Sequence, residues 1–187
     1  MRKLAFNSAL AASSFVVFCG MLMSHVAIAQ QKRPMPAQAQ RGHELFLKSS
    51  KGIACGTCHS LAGEGTAVGP DLKVLASAAT PRGLVMAIRM EMTENVQQVK
   101  TPSGTFSGVE KQKQADQVEV WDLTQTPPVV RTFASKDVSM TRDEKWKHPP
   151  ASAGYTSQEL ADLIGYLKWA ATGSQAVVKA SDIEGGQ

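Results

Sequence analysis

Cys55-Gly56-Thr57-Cys58-His59 constrains the fold of this 187-residue chain more than any other run. Two thiols separated by two residues can reach two carbons on one edge of a porphyrin, while the imidazole beside the second thiol swings beneath the ring to ligate iron. A fold built on that attachment must wrap a large, flat, apolar group. Two other chemistries also use paired cysteines. A thiol–disulfide pair belongs at a strand-to-helix turn of a βαβ unit, and no such pattern flanks Cys55. A structural zinc site needs four ligands, whereas this chain has no second cysteine pair and His59 follows Cys58 too closely to be an easy third. The motif therefore favours one covalent haem c per chain, with Cys55 and Cys58 as thioether anchors and His59 as the proximal iron ligand.

The N-terminus supplies the compartment that such attachment needs. Arg2 and Lys3 precede a mainly apolar stretch from Leu4 to Ile28, and Ala27-Ile28-Ala29 places small residues for cleavage before Gln30. Residues 1–29 are expected to be a signal peptide, and the mature chain to be soluble and periplasmic or otherwise exported. An uncleaved anchor is the competing reading, against which Asn7, Ser13, Ser14, Ser24 and His25 dilute the apolar run. Membrane association would follow only in that case. Of three cysteines, Cys19 lies in the leader behind Phe18, where a lipoprotein signal would want a small residue. Cys55 and Cys58 then stand alone, with no disulfide framework to build. Without Arg2 and Lys3 the formal charge of +4 falls close to neutral. The remaining basic residues are scattered, with Lys111 and Lys113 read as a solvated loop, so no nucleic-acid partner is expected.

Residues 30–39 read as a flexible leader without periodicity. Residues 40–173 read as one domain, opening with a helix over Gln40–Ser49 that turns Leu45 and Phe46 inward and His43 toward solvent. A glycine-rich loop, Gly63-Glu64-Gly65 through Gly69-Pro70-Asp71-Leu72, follows the motif. Pro70 has two readings: a simple Gly-Pro turn, or a carbonyl that accepts the free N–H of His59 and orients the proximal ring. Thr80-Pro81 marks a helix start, with Leu84, Val85, Ile88 and Met92 facing the core. Met86 and Met90 could ligate iron in principle but read as packing. Val96–Lys100, Thr105–Val109, Gln117–Asp122 and Pro128–Phe133 read as four short antiparallel strands, an insertion over about 96–133 whose first hairpin turns at Ser103-Gly104. Trp121 then belongs to the core or a sheet face. Thr156-Ser157-Gln158-Glu159 has capping-box spacing, and Leu160, Leu163, Ile164, Leu167 and Ala171 form one stripe ending at Gly173. Residues 174–187, lacking a periodic face, read as a loose tail.

Taken together, Gly42 and Phe46 ahead of Cys55-x-x-Cys58-His59, then Gly69-Pro70-Asp71-Leu72, then the helix from Glu159 to Leu167, resemble class I cytochrome c. The match covers residues 40–75 and 148–171. It implies a mainly α cytochrome c fold with a small antiparallel β insertion between the middle and C-terminal helices. It also implies that the first and last helices cross, with Gly42 and Phe46 against Tyr166 and Leu167. The β-rich insertion resembles a bacterial subfamily of haem-binding domains found attached to or encoded beside sugar or alcohol dehydrogenases. That similarity implies a redox protein partner, possibly a dehydrogenase or a respiratory chain component.

At the sixth iron position the chain departs from the family pattern. Class I cytochromes usually present Met-Pro ahead of the terminal Tyr-Leu pair, and His148-Pro149-Pro150 occupies that place here. His148 is the preferred distal ligand, Met140 the alternative, and an open or water-bound site the third option. Imidazole lowers the potential relative to a thioether. Trp146 and Trp169 could shield the pocket or serve as ordinary core. The expected role is one-electron transfer rather than enzymatic catalysis. Its rivals are a haem enzyme or gas sensor with an open coordination site, and a structural interaction module.

Overall fold

The computed structural model describes residues 34–90 and 95–184. The expected signal peptide, the first residues of the leader and Met92 lie outside the described residues. Helix α1 spans Ala37–Leu47 and buries Ala39, Gly42 and Phe46 along one face. The three-to-four-residue spacing of these positions makes an apolar stripe on a helix. It packs on α4, which runs from Ser157 to Thr172 and buries Leu160, Leu163, Ile164 and Leu167. Helix α4 has chemical stops at both ends. The Thr156 hydroxyl accepts from the Glu159 amide while Glu159 reaches back to Thr156, and Gly173 closes the helix in a left-handed conformation at φ 74°.

The two helices cross where Gly42 stands. A Cβ at that position would lie 2.0 Å from the Asp162 carbonyl oxygen and 2.8 Å from Tyr166 Cβ. Close approach brings the Phe46 and Tyr166 rings to 5.3 Å between centroids, both side chains fully buried. Arg41 adds a two-pronged contact to Asp162, at 2.6 Å from Nε and 3.0 Å from Nη2. Helix α2 (Lys73–Ala78) is held to α4 by Lys168, whose ammonium donates to the carbonyls of Ala76 and Ala79 at 2.8 and 3.0 Å. Those carbonyls belong to a helix C-terminus, where a cation is favoured. Helix α3 (Pro81–Arg89) starts as its sequence demands, with Thr80 Oγ1 accepting from the Gly83 amide at 3.1 Å. It buries Leu84 and Val85.

The mainly α fold expected above is overturned. Among the described residues helix accounts for only 35% and strand for 24%, and the strands build a five-stranded antiparallel sheet. Besides a minimal hairpin of β1 (Ser60–Leu61) and β2 (Glu64–Gly65), the chain forms β3 (Gln97–Thr101), β4 (Gly104–Lys113), β5 (Gln117–Asp122), β6 (Val129–Ala134) and β7 (Ser139–Arg142). The order across the sheet is β6-β5-β4-β3-β7. Four of these strands overlie the segments rich in Val, Thr, Phe and Trp. The fifth, β7, is a Ser-Met-Thr-Arg run with no apolar alternation, and it forms because β3 offers it an open edge. With the helices segregated from an antiparallel sheet, the architecture is α+β.

Two details of the sheet differ from expectation. The first hairpin turns at Pro102-Ser103, because Thr101 pairs with Gly104. Lys111 and Lys113 lie within β4 rather than in a loop, and Lys111 pairs with Glu119 on β5 at 2.7 Å. The sheet has its own small cluster, Val99, Val118 and Val120, separate from the helical core.

Beyond Gly173 the chain has no periodic face, yet it packs. Gln38 of α1 bridges both backbone groups of Val178, donating to its carbonyl at 2.7 Å and accepting from its amide at 2.9 Å. Val178, and Ile183 of the short helix α5 (Ala180–Ile183), are buried in the helical core.

Candidate functional site

Cys55–Thr57 forms a single turn of 3-10 helix, and the His59 amide closes it by donating to the Cys55 carbonyl at 2.8 Å. Gly56 in its centre is buried against Phe46, so α1 backs the turn from behind. Both thiols are free and half-buried. Burial pushes each of them up from its ordinary value.

His59 is oriented by the loop that follows. Its Nδ1 donates to the Pro70 carbonyl at 2.8 Å, the hydrogen bond required by the orienting reading of that proline. The imidazole packs directly on Gly69, where a Cβ would meet Cε1 at 2.7 Å. Asp71 fixes the loop, accepting from Ser60 Oγ and the Lys73 amide, each at 2.7 Å. Burial, with nearby His148 acting in the same sense and the Pro70 carbonyl opposing, holds His59 below its ordinary value. A carbonyl can only accept, so the ring proton sits on Nδ1 and the lone pair on Nε2 is free to ligate.

His148 comes to the same place from the other end of the chain. Its ring lies 5.9 Å from that of His59, centroid to centroid, with the planes 29° apart. The Nδ1 of His148 also meets a prolyl carbonyl, that of Pro149 at 2.7 Å. Both imidazoles therefore commit Nδ1 to a proline and keep Nε2 available. The Trp146 ring lies 6.2 Å from that of His148 with the planes at 84°. The segment His148–Ala153 and the end of α3, Ile88–Met90, line a cleft of about 190 Å³.

Other candidates lie elsewhere. Met140 sits on β7 opposite Val99 and packs with the sheet cluster, so it is not brought together with His59. Met86 and Met90, read as packing, are 59% and 55% exposed. His43 is only partly exposed, engaged by Glu64 and lying 5.0 Å from the Tyr166 ring. Trp169 stacks on Tyr166 against the helical core. Sequence reasoning missed Gly69 as the surface under His59 and Asp143 as the anchor of the Trp146 segment. The signal for the second was an Asp placed two and three residues ahead of amides that need acceptors.

The family model for cytochrome c matches residues 39–171, a span that includes the cysteine turn, both imidazoles and the helix crossing. The chain belongs to the cytochrome c family. Among curated proteins, none matches it. Membership brings covalently bound haem c and haem-based electron transfer. The residues of this cytochrome fit the group. Two thiols share one turn, two imidazole rings lie 5.9 Å apart with each Nδ1 at a prolyl carbonyl, and a cleft with Ile88 and Met90 in its wall adjoins His148. Among the described residues there is no group of three or more His, Cys, Asp or Glu side chains placed to hold a bare metal ion. No helix among them is long and apolar enough to cross a membrane.

Proposed function

We propose that this cytochrome is an exported one-electron carrier holding a single haem c between His59 and His148. The 5.9 Å separation of the two rings, each with Nδ1 tied to a prolyl carbonyl, carries this reading. Each ring would offer its Nε2 to the iron of the haem, since Nδ1 of both is committed to a prolyl carbonyl. Haem bound there supplies a one-electron iron couple.

The chain's own residues set how that couple behaves. Cys55 and Cys58 tether, and His59 ligates in an orientation fixed by Pro70 and Gly69. His148 would supply the second imidazole to the iron and so leave no open position for small ligands. Hydrogen bonding of each Nδ1–H to a carbonyl raises the basicity of the opposite nitrogen and lowers the potential. A site closed on both faces supports electron transfer rather than substrate binding, and the partner is a redox protein such as a dehydrogenase or a respiratory component. Export rests on the leader, where Arg2 and Lys3 precede an apolar stretch and Ala27-Ile28-Ala29 offers a cleavage site before Gln30.

Expression with a cytochrome maturation system tests the proposal. The purified protein should gain the mass of one haem, begin near Gln30, and show low-spin spectra in both oxidation states. His148→Ala should convert it to a high-spin form that binds carbon monoxide rapidly, while Met140→Ala leaves it low-spin. A colourless product, or a low-spin His148→Ala variant, would sink the reading.

A further inference from the structure

We propose that Asp143, at the end of β7, is a positioning residue that holds His148 over the site by tying its segment to the sheet. Asp143 is 9% exposed, and three sets of bonds converge on it. Oδ2 accepts from Ser107 Oγ on β4 at 2.6 Å. Oδ1 accepts from the amides of Lys145 and Trp146 at 3.1 and 3.2 Å. Its own amide donates to the Val96 carbonyl at 3.0 Å, continuing the ladder between β3 and β7 by one more bond. The Ser107 hydrogen bond, joined by the two amides, holds the carboxyl below its ordinary value despite burial. It is an anion at neutral pH, and hydrogen bonds to an anion are the stronger kind.

The consequence reaches His148 through Trp146. Fixing the amides of residues 145 and 146 sets the direction in which the chain leaves the sheet, and the Trp146 ring stands nearly perpendicular to the His148 imidazole at 6.2 Å. Pro149 and Pro150 limit the backbone on the far side. The imidazole is thus held between a clamped turn and a stiff one, which assigns a task to the sheet that the helical part does not need for its own packing. Losing the clamp frees the segment locally while β3 to β6 remain paired.

This inference rests on the reading of His148 as distal ligand, and the test separates the two. In the haem-loaded full chain, Asp143→Ala should raise the rate of carbon monoxide binding to the reduced form at least tenfold and introduce a high-spin fraction. Asp143→Asn, which keeps an acceptor for the two amides, should stay within about twofold of the parent. Ser107→Ala, removing only the sheet tether, should fall between them. Hydrogen exchange should show the amides of Lys145 and Trp146 losing protection in Asp143→Ala and keeping it in Asp143→Asn. If Asp143→Ala merely lowers the melting temperature while carbon monoxide kinetics and spin state stay those of the parent, Asp143 is structural and the proposal fails. If His148→Ala itself leaves ligand binding slow, the distal assignment falls, and the positioning role falls with it.

Discussion

The imidazole of His59 rests on Gly69 with no room for a methyl group between them, since a Cβ there would lie 2.7 Å from Cε1 and 3.0 Å from Nδ1. Gly69 also donates its amide to the Cys58 carbonyl at 2.7 Å, so its backbone cannot retreat without breaking the loop. Ring orientation is therefore set by two consecutive residues, Gly69 by contact and Pro70 by its carbonyl.

Gly69→Ala should displace the proximal ring and weaken its hydrogen bond to Pro70. Overpacking of this kind costs about 1–3 kcal/mol. The expected outcome is a haem-loaded protein with altered axial-ligand signals in electron paramagnetic resonance and a shifted potential. Spectra identical to the parent would show that the loop yields freely.

Gly42→Ala attacks the crossing of α1 and α4, where the new methyl group would fall on the Asp162 carbonyl and on Tyr166 Cβ. Neither is the movable end of a side chain, so the helices must separate. Loss of roughly 3 kcal/mol, at the upper end for overpacking, is expected from denaturant midpoints. Unchanged stability would contradict the contact.

Acid should destabilise the start of α4. Lys51 first, with the Thr156 amide and hydroxyl, brings Glu159 from its ordinary 4.5 down to about 2. The depressed value belongs to the folded state, so the unfolded chain takes up the proton first as pH falls. The contribution is complete above about 4.5 and drains away toward 2. Asp162 acts in the same sense: burial pushes it up, but Arg41, Gln158 and Gln38 outweigh that and leave it low. Glu159→Gln can keep the capping geometry without the titration. Its stability should vary less with pH across that window than the parent's, as read by denaturation at several pH values.

Gln38→Leu tests the anchoring of the C-terminal segment. The substitution removes both bonds to Val178 and leaves that buried peptide group without partners, which costs about 1–3 kcal/mol per unsatisfied group. Hydrogen exchange at Val178 and through Ala180–Ile183 should accelerate sharply while α4 stays protected. Equal protection in parent and variant would show that Val178 and Ile183 hold the segment by apolar contact alone.

Local chemistry made much of this cytochrome legible from residues alone. The cysteine turn, the capping box at Thr156, the Thr80-Pro81 start and the Gly173 stop each depend on groups within a few positions of one another, so their consequences follow from spacing. Strands β3 to β6 were visible for the same reason, in β-branched and aromatic runs cut by turn residues, whereas the short β1–β2 hairpin lay in a segment that reads as a glycine-rich loop. What no local pattern carried was pairing across the chain. Strand β7 exists because β3 has a free edge, and that strand with its sheet makes the fold α+β rather than mainly α. Tertiary structure alone brought His148 to His59 and sent Met140 into the sheet, since a side chain's place across 89 positions is fixed by how elements pack and not by its neighbours in sequence. Gln38 likewise captured the tail through bonds no periodicity could announce. The sequence determined which groups can do chemistry here, through the bonding capacity of thiol and imidazole; packing decided which of them meet, because only the folded chain puts distant residues within bonding range.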